Sequence, residues 1–222
     1  MDENKYREYA INNISQAKSG LFIVCGPMFA GKSSFLLSLN KKINNKIIIK
    51  HSFDDRYKSK NSIVTHDADK TKCCVCKNTE EIRSLLKDKE KKKELRFVLI
   101  DEVQFFDKDI VQYCVDLVNQ GKVVVCFGLD KDFNDNGFEI TKDLMSQADN
   151  VYKIKGTCFF CGNPSVSSFL KPTITERKNG NVIIGTDDKY IPLCRGCFSV
   201  FNILKKLKTN GTEKTKNQKK DK

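Results

Sequence analysis

The chain has 222 residues, 39% of them hydrophobic and 31% charged, enough for one α/β domain with a small appendage and too few for a two-domain motor. No apolar run approaches the ~20 residues needed to cross a bilayer, and residues 1–19 lack the apolar centre of a secretory signal, so a cytoplasmic chain with reduced thiols is expected. The formal charge of +12 suggests a polyanion partner only until it is located: Lys205 to Lys222 hold eight lysines against Glu213 and Asp221, so half of the excess sits in a tail whose composition is that of a solvated, disordered end.

Residues 1–19 read as an N-terminal extension. Gly20 to Cys25 is a continuous apolar run and reads as a buried strand, followed by the octet Gly-Pro-Met-Phe-Ala-Gly-Lys-Ser at 26–33. Ser34 to Ile43 has helical spacing, with Phe35, Leu36, Leu39 and Ile43 on one face, and Lys46 to Lys50 is a short second strand. Thr79 is placed to cap a helix through Ile82, Leu85 and Leu86, with Glu80 and Glu81 in its first turn and a charged loop from Lys87 to Glu94 behind it. Leu95 to Ile100 is the next strand and ends at Asp101 and Glu102. Asp107 is placed to cap a helix carrying Ile110, Val111, Cys114, Leu117 and Val118, which Gly121 closes as a C′ residue before a strand over Lys122 to Phe127.

Strands separated by helices in this way predict right-handed crossovers, a parallel sheet and ligands at the carboxyl ends of its strands. Near residue 156 long periodic segments give way to glycines, prolines and spaced cysteines. The predicted organisation is a P-loop α/β domain over 20–156, a small cysteine-bearing domain over 157–200 and a lysine-rich tail over 201–222.

Three constellations carry chemistry. In the octet, the spacing G-x-x-x-x-G-K-S lets the backbone amides of Gly26, Pro27, Met28, Phe29, Ala30, Gly31, Lys32, Ser33 and the adjoining Ser34 region cradle phosphates, proline itself contributing shape and no donor. Lys32 then reaches the β- and γ-phosphates and the Ser33 hydroxyl ligates Mg²⁺. A carboxylate on a neighbouring strand should complete the metal's surroundings, and Asp101 suits that role, leaving Glu102 to take a proton from the group that attacks the γ-phosphate. Finally, Cys158-x-x-Cys161 and Cys194-x-x-Cys197, separated by 32 residues, suit four thiolates around a structural Zn²⁺ with no open position.

Other cysteines are less telling. Cys25, Cys114 and Cys126 fall in apolar periodic runs and read as core. Cys73, Cys74 and Cys76 lie in a polar stretch, where a regulatory thiol or a second metal site stays open. Nothing pairs His51 or His66 with a nucleophile.

Together the octet, Asp54-Asp55-Arg56-Tyr57, Thr65-His66-Asp67, Ile100-Asp101-Glu102-Val103-Gln104-Phe105-Phe106, Leu129-Asp130 and Asp188-Lys189-Tyr190 resemble the zinc-containing thymidine kinases of the cellular and poxvirus type, in order, over residues 20–198. The resemblance implies a RecA-like P-loop sheet with a zinc-bearing lasso, and transfer of the γ-phosphate of ATP to the 5′-hydroxyl of thymidine or deoxyuridine in DNA-precursor salvage. It implies that Glu102 is the base, that Arg56, oriented by Asp54, stabilises the phosphates in flight, and that Lys32, Ser33 and Asp101 hold the donor and Mg²⁺. It further implies a nucleoside pocket of Met28, Phe105, Leu129, Phe133 and Phe138, with Ser168, Ile183, Ile184 and Gly185 contributing polar or backbone groups and Tyr190 closing it. A homotetramer, feedback inhibition by dTTP and no requirement for nucleic acid or membrane come from the same resemblance.

The chain departs from the pattern at Ser168, where threonine is usual, at Thr186, where glycine is common, and in a longer stretch from Lys171 to Asn181. Two other classes compete: a zinc-ribbon P-loop ATPase acting on nucleic acid, and a zinc-bearing nucleoside monophosphate kinase. Against the first, the charge lies in the tail and the knuckles show no interleaved basic and aromatic surface. Against the second, that group's knuckles interrupt the middle of the chain and its phosphate loop is richer in glycine.

Overall fold

The computed structural model describes residues 2–53, 62–64, 70–90, 95–171 and 189–205. Its elements begin with α1 (Glu3–Gln16), β1 (Gly20–Cys25), α2 (Lys32–Lys42), β2 (Lys46–His51), a hairpin of β3 (Ser62–Val64) and β4 (Lys70–Lys72), β5 (Cys74–Cys76) and α3 (Thr79–Glu90). Next come β6 (Phe97–Asp101), a 3-10 turn at Val103–Phe105, α4 (Asp109–Asn119), β7 (Val123–Gly128), α5 (Glu139–Gln147) and β8 (Asn150–Lys153). Four short strands follow, β9 (Gly156–Thr157), β10 (Pro164–Ser165), β11 (Ser167–Leu170) and β12 (Tyr190–Leu193), and residues 195–205 are helical. Among the described residues no helix is long and apolar enough to cross a membrane.

Six strands form one sheet in the order β5-β2-β6-β7-β1-β8, every neighbouring pair parallel. Strands β1, β6 and β7 are buried at every position, which is why they read as unbroken apolar runs: a parallel sheet covered on both faces has no polar side to alternate with. Successive side chains go to opposite faces. Leu21, Ile23, Val98, Ile100, Val124 and Cys126 pack under α3, α4 and α5 with Ile82, Leu86, Ile110, Leu117, Ile140 and Leu144. On the other face Phe22, Val24, Phe97, Leu99, Val125 and Phe127 pack under α1 and α2 with Ala10, Ile14, Phe35, Leu36 and Leu39.

Three local readings are revised. Strand β6 is not beside β1, because β7 lies between them. Helix α3 continues to Glu90 through part of the expected charged loop, because lysine and glutamate are good helix formers. The Thr79 hydroxyl does not cap that helix. It donates to Asp107 Oδ1 at 2.6 Å, while the Glu81 amide donates to Asn78 Oδ1 at 2.9 Å and the Glu81 carboxylate accepts from the Lys77 amide at 2.7 Å. Gly121 ends α4 as expected: at φ 80° it lets its own amide reach the Val118 carbonyl and that of Lys122 reach Leu117, at 2.8 and 3.1 Å.

Beyond β8 the chain forms two small antiparallel ladders, β9 with β10 and β11 with β12. Their core is Cys158, Phe169, Leu193 and Phe198. The Lys131 ammonium pairs with Asp135 and donates to the Ser167 hydroxyl at 3.1 Å, and that hydroxyl donates to Asp135 at 2.7 Å, which seats β11 on the turn after β7.

Candidate active site

The phosphate loop leaves β1 at its carboxyl end. Gly26 has φ 155°, and any Cβ there would stand 2.2 Å from the Ile154 carbonyl oxygen. Phe29 and Gly31 adopt left-handed conformations at φ 62° and 81°, the alternation that turns successive amides toward a common centre. Gly31 is the residue before α2, so the positive end of that helix opens onto the loop. The Lys32 ammonium curls over the mouth and donates to the Gly26 and Pro27 carbonyls at 3.0 and 2.8 Å. Ser33 and Ser34 occupy the first turn of α2.

Register sets the height of the acidic pair. Ile100 lies opposite Cys126, which lies opposite Ile23, so Asp101 and Glu102 reach the level of Val24 and Cys25, the last residues before the loop. With one strand between them, the strand ends are about 10 Å apart, twice the interstrand spacing. That separation leaves room for a metal and phosphates where adjacent strands would not. Asp101 Oδ1 accepts the Glu102 amide at 3.0 Å. Both carboxylates are buried, and Glu102 sits at φ 54°, a left-handed conformation that is uncommon for a residue with a side chain.

Sequence reasoning named Gln104 but gave it no role. Its Nε2 donates to Glu102 Oε2 at 2.6 Å, and its Oε1 accepts the Leu129 amide at 3.1 Å. It thus bridges the ends of β6 and β7, and Gly128 is what makes room: a Cβ there would lie 2.7 Å from Gln104 Oε1. The signal was the spacing of two after Glu102, too short to separate from a turn residue without coordinates.

Asp130, quoted in the sequence without a role, is buried with its carboxylate 2.8 Å from the Lys153 ammonium. Burial works against the charge on Lys153, but Asp130 more than compensates and raises its pKa. Burial, with Asp130 adding to it, pushes the nearby Cys25 thiol up to about 11, so Cys25 is inert core, as its apolar run implied.

Met28, Phe133 and Tyr190 form one buried apolar cluster, with Leu129 against it and Leu170 as a member that the sequence did not single out. The Phe133 and Tyr190 rings lie 6.5 Å apart. Phe105 and Phe138 meet edge to face at 6.4 Å, and Phe105 also packs on Phe53 at 5.1 Å. The Ser168 hydroxyl accepts the Met28 amide at 2.9 Å, joining β11 directly to the phosphate loop. Asp54, Arg56, Ile183, Ile184, Gly185 and Thr186 lie outside the described residues, as do Asp55, Tyr57, residues 65–67, Asp188 and the tail beyond Lys205.

The Sγ atoms of Cys158, Cys161, Cys194 and Cys197 all lie within 4.8 Å of one another. Four thiolates on a tetrahedral zinc stand about 3.8 Å apart at Zn–S ≈ 2.3 Å, so the set fits that ion with sub-ångström to ångström contraction. Burial disfavours the thiolate of Cys158, yet amide donors of Cys194, Cys161 and Phe160 bring it down to about 6, whereas Cys161 and Cys197 are raised, Cys197 chiefly by the neighbouring Cys194 thiol. The clustering of four sulfurs carries the case for a metal, which would itself displace those protons. Among the described residues no other group of three or more candidate ligands converges in this way. Cys74 and Cys76 instead pack on one face of the sheet and Cys73 on the other, because an edge strand alternates its side chains.

The family model described as thymidine kinase matches residues 19–198. The chain is 35% identical over 196 residues to a thymidine kinase of Mycoplasma mobile, covering 86% of this chain and 90% of that one. This chain belongs to the thymidine kinase family. It is also 35% identical over 193 residues to thymidine kinase 1 of Dictyostelium discoideum, with 84% and 80% covered, and 34% identical over 192 residues to the thymidine kinase of Choristoneura fumiferana entomopoxvirus, with 82% and 97% covered. As a member of the thymidine kinase family it is a phosphotransferase of the P-loop class, and the nucleic-acid ATPase reading is not favoured. The match stops at residue 198, so the lysine tail lies beyond it.

Proposed function

We propose that this member of the thymidine kinase family transfers the γ-phosphate of ATP to the 5′-hydroxyl of thymidine, and of deoxyuridine, giving the 5′-monophosphate for DNA-precursor salvage. The observation that carries the reading is the meeting of three features at the carboxyl ends of the central strands: the phosphate loop, the Asp101–Glu102 pair and the apolar cluster of Met28, Leu129, Phe133, Leu170 and Tyr190.

In this reading the loop amides other than that of Met28, which is bonded to Ser168, would hold the donor phosphates with Lys32, while Ser33 and Asp101 would hold Mg²⁺. When bound, the ion would neutralise charge developing on the donor phosphates. Glu102, fixed by Gln104, accepts the proton of the 5′-hydroxyl as its oxygen attacks phosphorus; the bond to the β,γ-bridging oxygen breaks and ADP leaves. Arg56 and Asp54 are assigned to the developing charge on the family pattern alone. The apolar cluster, with Phe105 and Phe138 beside it, takes the pyrimidine, and backbone of residues 183–185 takes its polar edge. Zn²⁺ on the four cysteines is structural. A cytoplasmic homotetramer inhibited by dTTP is the corresponding expectation for assembly and regulation.

The test is purified protein with Mg-ATP and, separately, thymidine, single-stranded DNA or a nucleoside monophosphate. ADP release with thymidine, together with thymidine 5′-monophosphate in the product mixture, supports the proposal. Release stimulated by DNA or by the monophosphate and not by thymidine overturns it.

A further inference from the structure

Helix α1 lies outside the family match, which begins at residue 19, yet it is built onto the nucleotide loop. Ala10 and Ile14 are fully buried in the α2 face of the core. The Tyr152 hydroxyl accepts from Asn13 at 2.6 Å, and the Tyr6 and Tyr152 rings meet edge to face at 6.1 Å. One turn of the helix then touches the loop. Arg7 Nη2 donates to the Ala30 carbonyl and, at 3.3 Å, to the Lys155 carbonyl, while Glu3 accepts the Lys155 amide at 3.0 Å. The fit is close enough that a Cβ on Gly31 would stand 2.5 Å from Arg7 Nη1.

From this geometry we infer that Arg7 is a positioning residue for ATP: it locks the phosphate loop in its anion-binding shape from the outer side. A loop whose amides converge on phosphate must turn carbonyls outward, and each outward carbonyl needs a donor or water. Arg7 supplies that donor at Ala30, one residue before the αL turn at Gly31 and two before Lys32. It bridges the same carbonyl to Lys155 beyond β8, the segment whose Ile154 carbonyl crowds Gly26. Loop and strand end are thereby held at both flanking glycines. The guanidinium also adds a fixed positive charge beside the dipole end of α2, which favours anions at short range. Glu3, with its carboxylate 3.6 Å from Arg7 Nε, keeps the guanidinium on the loop and not in solvent.

The inference rests on the proposed use of ATP as donor, and equilibrium binding separates the two. Mg-ATP binding is measured by titration calorimetry for the full chain, Arg7→Met, which keeps the packing stem, and Arg7→Lys, which keeps the charge. Steady-state KM for ATP and for thymidine and the melting temperature are measured alongside. Loss of a charged donor to a buried carbonyl predicts about a tenfold weaker ATP affinity for Arg7→Met, a parallel rise in KM for ATP and a thymidine KM within about twofold. Arg7→Lys recovers part of the loss. Wild-type protein that does not bind Mg-ATP overturns the functional reading. Wild-type protein that binds it while Arg7→Met binds equally well, or loses both substrates in proportion to a lower melting temperature, overturns the role of Arg7 alone.

Discussion

Gln104 offers a sharp test of the reaction chemistry, because its two hydrogen bonds act on different quantities. Replacing it with leucine removes the 2.6 Å donor to Glu102 and the 3.1 Å acceptor for the Leu129 amide at nearly constant volume. The unpartnered Leu129 amide costs about 1–3 kcal/mol of stability. The lost charge-assisted bond to Glu102 is worth about 1.5–3 kcal/mol, and where orientation of the base is what it secures, kcat falls about 10- to 100-fold. Gln104→Glu goes further, setting a second carboxylate against Glu102 where the amide donor stood, and lowers kcat at least as much as the leucine variant. The assay is ADP release at saturating ATP and thymidine. A kcat within twofold of wild type in both variants refutes the assignment of Glu102 as the base held by Gln104.

Three other outcomes follow. Glu102→Ala lowers kcat by about 10²- to 10⁴-fold with the ATP dissociation constant within about twofold; equal loss of binding and turnover contradicts a role confined to proton transfer. Cys161→Ser drops metal content below about one zinc per chain by plasma emission spectrometry, and raises KM for thymidine more than for ATP because Leu170 and Tyr190 lie on β11 and β12; an unchanged thymidine KM in metal-free protein counts against the cluster as the pocket's anchor. His51 is neutral in the fold: its Nδ1 accepts the Phe53 amide at 3.0 Å, its Nε2 donates to the Lys77 carbonyl at 2.9 Å, and burial pushes its pKa below the ordinary 6.5. Its stabilising contribution is therefore fully present above pH 6.5 and declines below it, with a slope of at most about 1.4 kcal/mol per pH unit, and His51→Gln should flatten urea-unfolding stability between pH 5 and 6.5.

What the sequence revealed tracks how deeply each element is buried. β1, β6 and β7 were legible because burial on both faces demands unbroken apolar runs, β2 by its shorter core of Ile47, Ile48 and Ile49, and α2 and α4 because four buried positions each give a clear stripe. The N-terminal helix escaped notice because only Ala10 and Ile14 are fully covered along its 14 residues, too few to set a period. Helix α5 is nine residues long, and β8 buries only Tyr152 of its four; both are held by neighbours and not by their own pattern. At the site, spacing exposed the loop, the acidic pair and the cysteines because each is fixed by local geometry. Gln104, Leu170, Arg7 and the Asp130–Lys153 pair depend on contacts between distant segments, which no window along the chain contains.

Met28 belongs to two surfaces at once: its backbone is part of the phosphate loop, its side chain is part of the apolar cluster, and its amide is committed to Ser168. If this cluster takes the pyrimidine as proposed, a change at Met28 meant to admit a bulkier analogue would also disturb the phosphate loop. Redesign of acceptor selectivity would then belong at Leu170 or Phe133, which join the same cluster from segments outside the loop, so that a broader substrate range need not come with weaker use of ATP.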